Sequence, residues 1–125
     1  MRSLLLLIPD LFFGVKVADA ARALGFATRD VASAAALPAA ACEGVAGIIV
    51  DTQVRSDWQA AVRALKADPA TANIPVLAFA PHVDVEATRA AVAAGCDRIV
   101  TRGKLASELP TLLRELFEPL SGADA

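Results

Sequence analysis

The residues best placed to do chemistry are Asp51, Asp10 and Arg102. Asp51 closes the run Gly47-Ile48-Ile49-Val50, four small or apolar residues ending in one carboxylate. A continuous apolar run of this kind fits a strand buried on both faces of a parallel sheet. In open α/β sheets, ligands sit beyond the carboxyl ends of the strands, so Asp51 stands where such a fold places its chemistry. Each of the three residues also has an ordinary structural use. Asp51 can be held by Arg102 or by backbone amides, an Arg–carboxylate pair being a strong contact. Asp10 can cap the helix that follows it. Arg102 can form that ion pair, face solvent, or hold an anion such as phosphate or a nucleotide fragment with the help of helix N-termini.

The elements that must position them follow from hydrophobic period and punctuation. Residues 3–8 read as a first strand, ended by Pro9. Asp10 caps a helix over 11–24, with Phe12, Val15, Ala18, Ala21 and Leu24 as its apolar stripe. Phe12 and Phe13 cannot both face inward, so one is exposed at the crevice rim. Gly25 closes that helix. Phe26 to Val31 is a second strand at a sheet edge. Ser33 caps a short or irregular helix through Cys42, interrupted by Pro38, and Gly44 stops it. Ala46 to Asp51 is the third strand. Ser56 and Gln59 form a capping-box pattern, opening a helix to Ala67 that buries Trp58, Ala61, Val62 and Leu65. Ile74 to Ala80 is the fourth strand. Asp84 caps a helix over Val85 to Ala94, closed by Gly95, and Asp97 to Thr101 is the fifth strand. Gly103 breaks the chain, Ser107 recaps, and Leu109, Leu112, Leu113 and Leu116 form the stripe of a last helix, with Pro110 in its first turn.

Strand–helix alternation five times over implies a parallel sheet with helices on both faces. With right-handed crossovers the fold is α/β, flavodoxin-like and doubly wound, (βα)5, with strand order 2-1-3-4-5. The crevice lies between strands one and three. Pro9, Asp10, Asp51, Ala80 and Arg102 face it. The domain spans 1–119, and 120–125 is a flexible tail.

Composition narrows the function. The chain has 125 residues, 56% hydrophobic and 21% charged, with a net charge of −2. That is enough for one domain with a real core. The near-neutral balance gives no electrostatic footprint for nucleic acid or an anionic membrane. Leu4 to Ile8 is too short for a signal or a membrane span, and no small-residue cleavage site follows. Cys42 and Cys96 have no metal spacing, and His82 stands alone in a loop. Two reduced core thiols and a cytoplasmic location are the reading. No nucleophile–base pair is visible, so the chain is not expected to be an enzyme. No Gly-rich phosphate loop follows the first strand, which argues against a flavin or dinucleotide.

Two stretches carry a family resemblance. Ala64-Leu65-Lys66-Ala67-Asp68-Pro69 through Ile74-Pro75-Val76-Leu77-Ala78-Phe79-Ala80 resembles the helix-three to strand-four segment of response-regulator receiver domains. Ala94-Gly95-Cys96-Asp97-Arg98-Ile99-Val100-Thr101-Arg102 resembles the strand-five segment of the same family. The resemblance covers residues 3 to about 117. It implies that Asp51 is the candidate phosphoacceptor, with Ala80 and Arg102 at the phosphate-pocket positions. It also implies a candidate Mg²⁺ site from Asp10, Asp51 and the backbone carbonyl of Gln53.

The sequence departs from the family at several links of one mechanism. Pro9 replaces the first of two acids. Ala80 replaces a Ser or Thr whose hydroxyl follows the phosphoryl group. Arg102 replaces a Lys, and Arg is no neutral swap for it. Gly103 stands where a cis proline is usual, Ile99 where the aromatic switch is, and Thr52-Gln53-Val54-Arg55 lacks the family's loop proline. The expectation is a divergent, pseudo-receiver-like module acting through a protein partner or self-association, with a degraded phosphorylation site and no required cofactor. The resemblance places its contact surface on the fourth helix, fifth strand and last helix, Val85 to Leu116. Two alternatives stand beside it: a working response regulator phosphorylated on Asp51 by a histidine kinase, and a small anionic-ligand binder at the strand 1/3 crevice.

Overall fold

The computed structural model describes residues 2–42 and 44–117. The tail expected over 120–125, and the last two residues of the expected domain, lie outside the described residues. The elements are β1 (Ser3–Leu7), α1 (Leu11–Ala23), β2 (Ala27–Asp30), a 3₁₀ turn (Ala34–Ala36), α2 (Leu37–Ala40), β3 (Val45–Asp51), α3 (Trp58–Ala67), β4 (Val76–Ala80), α4 (Val85–Ala94), β5 (Arg98–Thr101), α5 (Arg102–Ser107) and α6 (Leu109–Phe117). All five strands are parallel, in the order β2-β1-β3-β4-β5. The doubly wound architecture read from the sequence is the one observed.

Strand alternation divides the core in two. Leu4 and Leu6 of β1 and Ile49 of β3 face α1 and α6, where they meet Phe13, Val17, Ala21, Leu112 and Phe117. Leu5, Leu7, Ile48 and Val50 face the other way, onto Leu37, Trp58, Val62 and Leu65. Trp58 is thus a core residue. Gly47 is required by packing: a Cβ there would lie 2.0 Å from Cδ1 of Phe117. Its bare backbone lets the end of α6 lie against β3.

The stretches that carry the family resemblance run through β4 and β5 to Ala80 and Arg102 at the crevice, and their earlier residues tie the opposite end of the sheet. Lys66 Nζ donates to the carbonyls of Ala72 and Ile74 and to Asp97 Oδ2. Asp97 Oδ2 also accepts from the Val76 amide at 2.8 Å. One ammonium therefore ties α3 to the starts of β4 and β5. Gly95 adopts φ +100°, and a Cβ there would press on the Lys66 stem at 2.9 Å, so the left-handed cap and the clamp require each other's shape.

Several local expectations are corrected. On α1 the buried residues are Phe13, Val17, Ala18 and Ala21, whereas Phe12 and Val15 are exposed and Leu24 is only half-buried at the C-cap. A strict spacing of three slips backward around a helix of 3.6 residues per turn, so the expected stripe could not stay on one face. Ser33 makes no side-chain cap. Ser56 does not open a capping box; its hydroxyl accepts from the Ala34 amide at 2.9 Å, and Asp57 caps α3 by accepting from Ala60. Gly103 lies inside α5, because Thr101 caps that helix by accepting from the Lys104 amide and Leu105 is buried beneath it. Cys42 is exposed and so is not the expected core thiol, whereas Cys96 is half-buried and packs against the core.

Candidate functional site

The crevice is assembled from the carboxyl ends of β1, β3, β4 and β5. Asp10 sits just beyond β1 and caps α1: its Oδ1 accepts from the Phe13 amide at 3.2 Å. Its Oδ2 accepts from Nη2 of Arg102, the first residue of α5. Both side chains are a little over a third exposed. The Phe13 amide first, and the Arg102 guanidinium second, hold the Asp10 carboxyl below its ordinary value of 3.8. The guanidinium carbon lies 4.2 Å from the centre of the Phe13 ring, a cation–π position. Phe13 in turn meets Phe79 of β4 at 5.2 Å between ring centres. Arg102 is therefore held by a carboxylate on one side and by an aromatic ring, rooted in the core, on the other.

Asp51 is the last residue of β3 and is only 4% exposed. Its Oδ1 accepts from the Gln53 amide at 2.9 Å, the local turn that Asp favours. Among the described residues no Lys or Arg forms an ion pair with it. Among the described residues no fully buried polar side-chain atom lacks a partner and no group donates to the second oxygen of Asp51, so that oxygen keeps contact with solvent. Of the two holders expected for Asp51, the backbone amide is observed and Arg102 is not. Asp10 lies at the N-terminus of α1, and Phe13 offers a second contact that Asp51 does not.

The remaining positions are apolar or engaged. Ala80 ends β4 buried, as a methyl group. The Thr52 hydroxyl donates to the Phe79 carbonyl at 3.1 Å. Pro9 and His82 are exposed, and Ile99 is half-buried. With Arg102 in place, each Asp10 oxygen already has a donor. Of the candidate metal set Asp10, Asp51 and Gln53, Asp10 is therefore shared with the Arg102 guanidinium, and the second oxygen of Asp51 accepts no hydrogen bond among the described residues. The role of Phe13 was not legible in the sequence beyond its being one of a Phe pair, one of which must face inward; Phe12, 88% exposed, is the outward one.

No family model matches the sequence, and no curated protein does. Solved structures do. The chemotaxis protein CheY4 of Vibrio cholerae superposes with a TM-score of 0.80 at 17% identity, over 93% of this chain and 98% of that one. The receiver domain of a sensor histidine kinase of Pseudomonas aeruginosa, solved with magnesium in its active-site cleft, gives 0.80 at 18% identity, over 94% and 98%. The signal receiver domain of a histidine kinase of Syntrophus aciditrophicus gives 0.78 at 19%, over 92% and 89%. The fold of this chain is that of response-regulator receiver domains. Among the described residues no helix is long and apolar enough to cross a membrane.

Proposed function

We propose that this domain is a receiver-like signalling module that works through protein contact and does not depend on phosphorylation of Asp51. One observation carries the reading: the cation at the end of β5 is spent on Asp10 and Phe13. It occupies the carboxylate that a divalent ion would need. Ala80 adds a second reason, since a methyl cannot donate to a phosphoryl oxygen. Ala80 and Ile99, on this reading, offer little that would distinguish a modified Asp51 from an unmodified one, and a switch requires such a difference. On this reading the domain needs no magnesium, performs no catalysis of its own and works in the cytoplasm. Its output leaves through a partner or a second copy, across α4, β5 and the helices after it. Val85 and Val92 stand 68% exposed on that surface.

The test is NMR of the amides with Mg²⁺, then with Mg²⁺ and beryllofluoride. Silence, or shifts confined to the neighbours of Asp51, is expected. Saturable shifts spreading across residues 85–116 would mean a working phosphoacceptor and would sink the proposal.

A further inference from the structure

We propose that two copies of this chain meet through α1, the Phe12 ring of each copy seating in the groove between α1 and β2 of the other. The inference goes beyond the reading above and does not depend on the state of Asp51. This surface lies at the β2 edge of the sheet, away from α4 and β5. Leu11, Phe12 and Val15 stand 74%, 88% and 52% exposed within the first five residues of α1. Val15 follows Phe12 by three positions and Leu11 by four, so the three are neighbours on the helix surface. Single exposed apolar residues are ordinary, but neighbours such as these form a patch, here of roughly 400 Å². A standard interface takes about 800 Å² from each partner. The patch supplies the apolar centre of one, and the charged residues around it supply the rim.

The same surface carries a knob and a hole. Beside Phe12, a groove of about 200 Å³ is lined by Ile8, Leu11, Val15, Arg22 and Asp30. A cavity of about 150 Å³ takes one benzene ring, so the groove has the size for one phenyl group. Arg22 is fixed there, donating to Thr28 Oγ1 at 3.1 Å and to Asp19 Oδ1 at 2.8 Å, where an entering ring can stack on it. The chain makes that kind of contact twice already, Arg2 over Phe26 and Arg102 over Phe13. Charge selects the occupant. Lys16 follows Phe12 by one turn, and Asp30 lines the groove. Both are exposed, and neither forms an ion pair among the described residues. The Arg22 charge is already met by Asp19. A Phe12 ring arriving from a second copy therefore brings a free Lys16 towards a free Asp30. Positive knob and negative groove lie on one surface, which is the self-complementarity a two-fold interface needs.

The experiment is sedimentation equilibrium of the full chain from micromolar to millimolar concentration. A reversible monomer–dimer equilibrium is expected. Phe12→Ser should weaken its Kd by about tenfold or more. The melting curve at low concentration should not move, because the ring is exposed in a single copy. Lys16→Glu and Asp30→Lys should each weaken the dimer, and the two changes together should restore it. Val92→Asp, on α4, should leave it as it was. A monomer at every concentration overturns the proposal and leaves the patch to another partner. A dimer indifferent to Phe12→Ser, or a double variant that recovers nothing, overturns it as well. So does a dimer lost in Val92→Asp, which would put the contact between copies on α4. None of these outcomes touches the beryllofluoride result, so the two readings fail separately.

Discussion

The Arg102 guanidinium closes on the Asp10 carboxylate, 92 residues earlier in the chain, and leaves Asp51 to a backbone amide. This single choice of partner sets the electrostatics of the crevice. It also means that the cation can be removed without touching Asp51. In Arg102→Ala, Asp10 regains an oxygen free of donors and the crevice loses a positive charge. Mg²⁺ affinity measured by NMR titration should then rise about tenfold or more, because the Asp10 carboxylate no longer shares its charge with a guanidinium. Unchanged affinity would show that Arg102 does not occupy the metal's place.

Acid should find the same pair. The Asp10 carboxyl is held below 3.8 by the Phe13 amide and by Arg102, so the folded chain keeps its charge to lower pH than the unfolded chain does. The stabilisation is therefore complete above the unfolded value and is lost as pH falls through the folded one. Denaturant melts of wild type and Asp10→Asn should differ by a constant amount near neutrality, start to approach each other as pH falls past 3.8 and converge only below the lowered folded value. A gap that persists in acid would refute the assignment.

Lys66 is the main polar tie at the far end of the sheet. Lys66→Met removes three hydrogen bonds and leaves Asp97 with the Val76 amide. Bonds to a charged group and two half-buried carbonyls left without it suggest a loss of about 2 kcal/mol. It should appear as a lower denaturant midpoint with an unchanged slope.

Gly47 and Phe117 make a coupled pair. Gly47→Ala must push the Phe117 ring from its seat, at a cost of about 3 kcal/mol if the ring is lost from the core. Once the ring is absent the methyl has space. The double variant Gly47→Ala, Phe117→Ala should therefore be little less stable than Phe117→Ala alone, a strongly non-additive cycle.

The two thiols should separate cleanly. Burial, then the neighbouring Asp97, pushes the Cys96 thiol up to about 11, whereas Cys42 is exposed. The thiolate is the reactive form, so a thiol reagent near pH 7.5 should modify Cys42 quickly and Cys96 slowly. The unfolded chain ionises this thiol near 9.0 and the folded chain near 11. Between those values the folded state holds the extra proton, and stability falls as pH rises. Cys96→Ala should flatten that alkaline slope.

The sheet was legible because parallel strands leave continuous apolar runs such as Leu4–Leu7 and Ile48–Val50, bounded by Pro, Gly and Asp. Helix α3 was legible because Trp58, Ala61, Val62 and Leu65 keep a true helical period. Helix α1 was not, since its Ala- and Phe-rich sequence offers more than one apolar stripe and only the sheet selects between them. The start of α5 was hidden by Gly103, whose helix cost of about 1 kcal/mol is outweighed by the Thr101 cap and the burial of Leu105. At the site, position could be read and partnership could not. Strand ends bring Asp10, Asp51 and Arg102 together, but which carboxylate takes the cation depends on the placement of the Phe13 ring.

The strand-to-helix joint at Thr101–Arg102 has a mechanical consequence. β5 passes into α5 with no intervening loop, and Thr101, the last strand residue, is also the cap of that helix. A hinge of zero length has no slack. Whatever draws the Arg102 backbone away from Asp10 must strain the Thr101 cap and loosen the first turn of α5, so a disturbance in the crevice is felt as local unwinding and not as the swing of a tether. Amide exchange at Lys104 would register it.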